Sequence, residues 1–302
     1  KIMDVIKNEK RSIPKIKDFN IKIDNGIVVN NCYYIGIPLD ILFNLIYLKE
    51  KYNNMELVLD YPLNENNELL EHYQSLGINF EFKLKFSNIQ IIWSFQRLIY
   101  PTYFDNWFKK LKKNKKFIII PLGIEISEKT HANILFYDIE KNVIERFEPN
   151  GANQPKDLNY NANLLDKLLE LKFKQINPKI KYIKPKDYLP QIGLQMYEIY
   201  ETPTCKKLGD PNGFCAIWCA FWIDKRIENY KLDAKVLIDQ IIKEIKLQNL
   251  KFKNVIRNYS KKITDIRDNY LSKYKIDINQ WVNNTFDEKI INKLEKDIIQ
   301  II

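Results

Sequence analysis

The stretch from Phe117 to Glu148 limits the fold of this chain more than any other. Phe117-Ile118-Ile119-Ile120-Pro121-Leu122-Gly123-Ile124-Glu125-Ile126 is an apolar run that reads as a buried strand, and its proline predicts a kink. Residues 131–138 and 142–148 then form two runs around Ile139-Glu140-Lys141, which predicts an antiparallel hairpin. Along the first of these, Ile134 and Phe136 face one way, and Asn133 and Leu135 the other. Asn150-Gly151 breaks the chain immediately afterwards.

Around this centre the periodicity is mostly helical. Helices are expected from Pro38 to about Tyr52, over 68–76, 102–111 and 163–173, and from Gly213 to about Glu228. Residues 233–250, 253–274 and 287–301 repeat their apolar positions in the same way. Short strands are expected at 26–29, 56–59, 79–86 and 180–183. The aromatic-rich stretch from Trp93 to Trp107 reads as core, with the lining of a cleft as the alternative. There is no internal repeat and no glycine-rich phosphate loop.

With 302 residues, 45% of them hydrophobic and 13% aromatic, the chain can bury a substantial core. Its net charge of +10 would by itself admit a nucleic-acid partner. The charge comes from 42 lysines against 6 arginines, however, whereas phosphate recognition favours the arginine fork. The bias fits codon choice in an AT-rich genome and a solvated basic surface. Four cysteines, Cys32, Cys205, Cys215 and Cys219, are too few and too irregular for a disulfide framework and point to a reducing compartment. No apolar run approaches the ~20 residues that span a bilayer, and no signal-peptide pattern opens the sequence. The expectation is a soluble, intracellular protein without a membrane partner.

The chemistry concentrates at Gly213-Phe214-Cys215-Ala216-Ile217-Trp218. Asp210-Pro211-Asn212-Gly213 reads as a turn, which places Cys215 in the first turn of a helix. Unpaired N–H groups and the positive end of the helix dipole there favour thiolate over thiol. The same N–H groups can serve an oxyanion. A nucleophilic thiol also needs a base and a group to orient that base. His72 and His131 are the two histidines, and His131 lies at a strand end with Glu148 across the expected hairpin. Gln195 and Gln191 are candidates for a second oxyanion donor, with Gln195 favoured. Cys219, one turn further along, reads as a core thiol. Two thiols and a distant histidine make a poor metal set, so no metal and no cofactor is expected.

The order His131, Glu148, Gln195, Cys215 resembles the cysteine proteases that include adenovirus-type and SUMO-specific proteases. More closely, Phe117–Pro121, His131-Ala132-Asn133, Arg146-Phe147-Glu148-Pro149-Asn150-Gly151 and the Cys215 motif resemble the Ulp-like proteases of giant and other large DNA viruses. The resemblance spans about residues 90–230. It implies an α+β fold in which a central mixed β-sheet flanked by helices carries the histidine and the acid, while a buried helix presents the cysteine. It implies a peptidase acting on peptide or isopeptide bonds, with a viral precursor or a ubiquitin-like conjugate as protein substrate, in host cytoplasm or virion.

The chain departs from the pattern in three places. Glu148 stands where cellular SUMO proteases use aspartate, and Ala132 where they place tryptophan. Gln195 lies 20 residues before Cys215, so residues 196–212 must loop out. Residues 1–90 then form an N-terminal α/β extension, 91–230 the protease core and 231–302 a helical C-terminal extension. Two alternatives remain open: a YopJ-like acyltransferase, and a non-enzymatic basic binding protein on a protease-like fold.

Overall fold

The computed structural model describes residues 21–23, 38–57, 66–77, 88–110, 115–126, 129–153, 158–201 and 213–301. The strands expected at 26–29 and 79–86, together with Cys32 and Cys205, lie outside the described residues.

The long apolar run becomes the spine of the fold. Strand β4 (Phe117–Ile126) is flanked on one side by β5 (Lys129–Asp138), which pairs antiparallel with β6 (Val143–Phe147) as the hairpin pattern requires. Strand β7 (Lys181–Ile183) adds parallel to β6. On the other side of β4, two strands share one edge: β1 (Met55–Leu57) pairs parallel with Phe117–Ile119, and β2 (Ile91–Ser94) pairs parallel with Leu122–Ile124. Strand β3 (Arg97–Ile99) closes that side as the partner of β2. The sheet is therefore mixed and seven-stranded, in the order β3-β2-β4-β5-β6-β7 with β1 paired to β4.

Pro121 does not interrupt β4, which runs through it in unbroken register with Ile134 opposite. Pro121 falls between the segment that β1 pairs and the segment that β2 pairs. No ladder on that edge needs the N–H that proline lacks.

Helices cover both faces. On one side lie α1 (Pro38–Lys51), and beyond the sheet in sequence α7 (Cys215–Glu228), α8 (Ala234–Leu247) and α9 (Phe252–Lys273). They bury Phe117, Ile119, Ile134, Phe136 and Phe147. On the other side, α3 (Phe104–Lys109) and α4 (Ala162–Ile176) cover Ile118, Ile120, Leu122, Ile124 and Leu135. The expected split of β5, with Ile134 and Phe136 against Leu135, is thus the division between the two cores. Trp93 and Trp107 are buried in the second core, as the aromatic-rich stretch predicts. Within residues 91–99 the chain folds back on itself, with Phe95 and Gln96 at positive φ between β2 and β3. The remaining helices are α2 (Asn67–Ser75), α5 (Pro185–Tyr188), α6 (Leu194–Tyr200), α10 (Ile278–Asn283) and α11 (Lys289–Ile301). Residues 196–200, the first part of the stretch expected to loop out, belong to helix α6.

Helix α7 is apolar nearly all round, the pattern of a helix enclosed by its neighbours, and it packs against β5, α1 and α9. Its C-terminal half is pinned by buried charge. Arg226 forks onto Glu145 of β6 (2.9 and 3.0 Å), and Asp224 takes Lys51 at 2.7 Å and the hydroxyl of Tyr259 at 3.1 Å. These anchors fix where the opposite end of α7, carrying Cys215, meets the sheet.

Candidate active site

His131 lies near the start of β5, opposite Ile124 of β4, and is 4% exposed. Glu148 follows the last residue of β6 and is also buried. The hairpin register sets Ile134 against Phe147, so Asn133 and Glu148 come next to each other and His131 lies two residues further along. His131 Nε2 donates to Glu148 Oε1 at 2.6 Å. The Cys215 side chain is within hydrogen-bonding reach of the same ring. With Nε2 engaged by Glu148, Nδ1 is the nitrogen left for the thiol.

Glu148 accepts from four donors. Oε1 takes His131 Nε2 and the Asn150 backbone N–H (3.0 Å), while Oε2 takes Asn133 Nδ2 (2.9 Å) and the Tyr160 hydroxyl (2.6 Å). Burial alone would raise its pKa. His131, Tyr160 and Arg146 outweigh burial and bring it to about 2. Burial likewise disfavours the His131 imidazolium, but Glu148 and Cys215 reverse this and raise its pKa to about 10. The pair is thus an imidazolium facing a carboxylate across the neutral range.

Cys215 is the first residue of α7 and 8% exposed. Gly213 precedes it at φ +65°, a conformation that suits glycine. As the first helical residue, Cys215 has a backbone N–H with no intrahelical acceptor. Cys219 hydrogen-bonds the Ala132 carbonyl at 3.5 Å, and burial pushes its thiol pKa well up, with Cys215 and Glu148 acting in the same sense. That is the behaviour of the core thiol expected there.

Gln195 reaches this centre through a crossing of two backbone segments. Gly193 N–H donates to the Asn150 carbonyl (2.9 Å), Gln195 N–H to the Pro149 carbonyl (3.0 Å), and Ala152 N–H to the Pro190 carbonyl (2.8 Å). The crossing is so close that a Cβ on Gly193 would stand 2.3 Å from Gly151 N, and one on Gly151, at φ +96°, would stand 2.5 Å from Gly193 N. It carries α6 up against α7, where Trp218 Nε1 donates to the buried Glu198 at 3.0 Å. Gln195 is buried, and its Nε2 lies 3.4 Å from where a Gly213 Cβ would be. Its Oε1 has no hydrogen-bond partner. Gln191 is exposed and meets the crossing only through its carbonyl, which accepts from Asn153 N–H at 3.4 Å.

The structure brings His131, Glu148, Cys215 and Gln195 into one buried cluster. His72 is held elsewhere by Glu125 of β4, 3.1 Å from its Nε2. Sequence reasoning did not assign roles to Asn133, Asn150 or Tyr160. Asn133 could have been found from strand alternation, which sets it on the side of β5 shared with His131, opposite Glu148. Among the described residues no group of three or more His, Cys, Asp or Glu side chains could hold a metal ion. Among the same residues no helix is long and apolar enough to cross a membrane.

No family model matches the chain. It is 39% identical, over 309 aligned positions and 99% of its length, to a protein of Acanthamoeba polyphaga mimivirus described as an ankyrin repeat protein. It spans about 40% of the length of that relative. Among solved structures it is similar to the SUMO protease Ulp1 with its catalytic cysteine oxidised to a sulfenic acid, at 11% identity and TM-score 0.35, covering 82% of this chain and 87% of that one. It is also similar to the Chlamydia trachomatis effector ChlaDUB1, at 10% identity and TM-score 0.38, covering 82% of this chain and 97% of that one.

Proposed function

We propose that the chain is a cysteine hydrolase that cleaves peptide or isopeptide bonds of a protein substrate, with Cys215 as nucleophile. The observation that carries this reading is the buried His131 ring, hydrogen-bonded to Glu148 and within reach of the Cys215 side chain. The thiolate is the nucleophilic form of cysteine, and an imidazole oriented beside it can take its proton.

His131 takes the proton of Cys215, and the thiolate adds to the substrate carbonyl carbon. The negative charge that develops on the carbonyl oxygen is met by the Cys215 backbone N–H and Gln195 Nε2. The carbon–nitrogen bond breaks as His131 hands its proton to the leaving amine, which leaves a thioester on Cys215. Water, deprotonated by His131, then adds to the thioester, and the carboxylate product departs as the thiol re-forms. Glu148 keeps its charge throughout. It fixes the ring orientation and stabilises the imidazolium that each half-reaction passes through.

The four-donor shell around Glu148 supports this role, because a carboxylate with its pKa near 2 does not compete for the proton that His131 carries. The test is cleavage of a proteome-derived peptide library and of lysine-linked ubiquitin-like conjugates by wild type and Cys215→Ala. Cleavage by the wild type alone supports the reading, and equal cleavage by both contradicts it.

A further inference from the structure

Behind the candidate site lies a buried ion pair that takes no part in the proposed bond-making. Arg146 Nε and Nη2 fork onto the two oxygens of Asp166 on α4, at 2.7 and 2.9 Å, and the Tyr182 hydroxyl donates to Asp166 Oδ1 at 2.7 Å. Arg146 Nη1 is left pointing at Asn133 Oδ1 and donates to it. The Asn133 amide then gives Nδ2 to Glu148 Oε2 at 2.9 Å.

The hydrogen-bond roles along this chain are forced. A guanidinium has donors only, so the asparagine atom facing it must be the oxygen. The amide group must therefore turn its nitrogen toward Glu148, where it meets an acceptor. Asn133 cannot flip without setting donor against donor at Arg146. Glu148 Oε2 is in turn held in place, which leaves Oε1 aimed at His131.

We propose that Asn133, Arg146 and Asp166 are positioning residues: the ion pair locks the Asn133 amide in one orientation, and the amide holds Glu148 as an acceptor facing His131. This rests on the reading of His131, Glu148 and Cys215 given above. It also accounts for a glutamate ending β6. The opposed position of Asn133 and Glu148 in the hairpin lets a side chain of this length reach Asn133 with one oxygen and His131, two residues further along β5, with the other.

The titratable and charged groups around Glu148 are His131 from β5, Tyr160 from the segment before α4, Arg146 from β6, and Cys215 and Cys219 from α7. The test is an NMR titration of the His131 ring in the full chain, whose shifts report protonation of Glu148 in acid. The wild-type ring should show no step from neutral pH down to about pH 4, because Glu148 titrates only near its lowered value. Asn133→Leu keeps the branched shape and the Arg146–Asp166 pair but removes one charge-assisted donor, and should raise the step by about one pH unit. Where that variant does not fold, the isosteric Asn133→Asp keeps an acceptor for Arg146, loses the donor and should raise the step at least as far. Replacing the pair together, Arg146→Met with Asp166→Leu, should leave the Asn133 side-chain amide protons unprotected against exchange. A folded Asn133 variant with the wild-type step, or Asn133 amide protons still protected after the pair is removed, overturns the proposal. An unreactive Cys215 would count against the hydrolase reading and leave this titration unaffected, so the two failures are separable.

Discussion

Glu148 meets His131 at 2.6 Å from across a hairpin, in an orientation set by Asn133 and Tyr160 on one carboxylate oxygen and by the Asn150 backbone on the other. The base, in turn, lies within reach of the Cys215 side chain. The consequences can be tested residue by residue.

Substitution at the two ends of the relay should have unequal effects. Cys215→Ala should bring cleavage to background, since no thioester can form. Glu148→Gln keeps the shape but removes the charge and should lower kcat by about 10³–10⁴-fold with little change in KM. Initial rates on a single cleavable peptide measure both. A Glu148→Gln enzyme with wild-type kcat would remove Glu148 from the mechanism.

Gln195 offers a cleaner separation, because the role proposed for it is confined to the transition state. Gln195→Ala should cost about 10²–10³-fold in kcat while leaving the rate of Cys215 alkylation unchanged. A variant that slowed alkylation instead would make Gln195 part of the thiol's environment. The same substitution at Gln191 should be silent, since that side chain is exposed.

The backbone crossing makes a stability prediction. Gly193→Ala forces a Cβ to within 2.3 Å of Gly151 N, and backbone cannot swing aside as a side chain tip can. The expected loss is above about 3 kcal/mol, at the upper end for single substitutions, with α6 displaced and Gln195 withdrawn. Gly213→Ala meets nothing nearer than 3.4 Å and should cost only the ~1–2 kcal/mol of a left-handed residue. Urea unfolding of the two variants side by side decides this, and equal losses would contradict it.

The ion pair also has a pH signature in stability. The His131 pKa rises from 6.5 to about 10 on folding, so its contribution is complete below 6.5 and is lost as pH rises through 10. The Glu148 pKa falls from 4.5 to about 2, so its contribution is complete above 4.5 and is lost as pH falls through 2. Both are present in full between pH 4.5 and 6.5. The stability gap between wild type and His131→Gln should be widest in that window and narrower toward pH 10. A gap that widened with rising pH would mean that His131 is neutral in the folded protein.

Much of this was legible in the sequence where the determinant is local. The hairpin of β5 and β6 follows from alternation, and with it the meeting of His131 and Glu148. The apolar circumference of α7 marks a buried helix, and Gly213 marks its start. What could not be read depends on contacts between distant segments. The uninterrupted passage of β4 through Pro121 depends on where β1 and β2 each pair along the same edge of β4. The placement of Gln195 depends on Gly151 and Gly193 crossing at backbone distance, although 42 residues apart in sequence. Arg146 lies two residues before Glu148 and could have been its partner, yet Asp166 on α4 takes the guanidinium. Only the packing of α4 on the sheet decides between those carboxylates.

The central claim is that Cys215 is ionised by His131. The most direct measurement is the pH dependence of Cys215 alkylation by iodoacetamide, read by mass spectrometry in wild type and His131→Ala. The account predicts rapid alkylation of Cys215 at neutral pH in the wild type and much slower alkylation in the variant. A Cys215 equally unreactive in both proteins would contradict it and make Cys215 a structural thiol at the head of a buried helix.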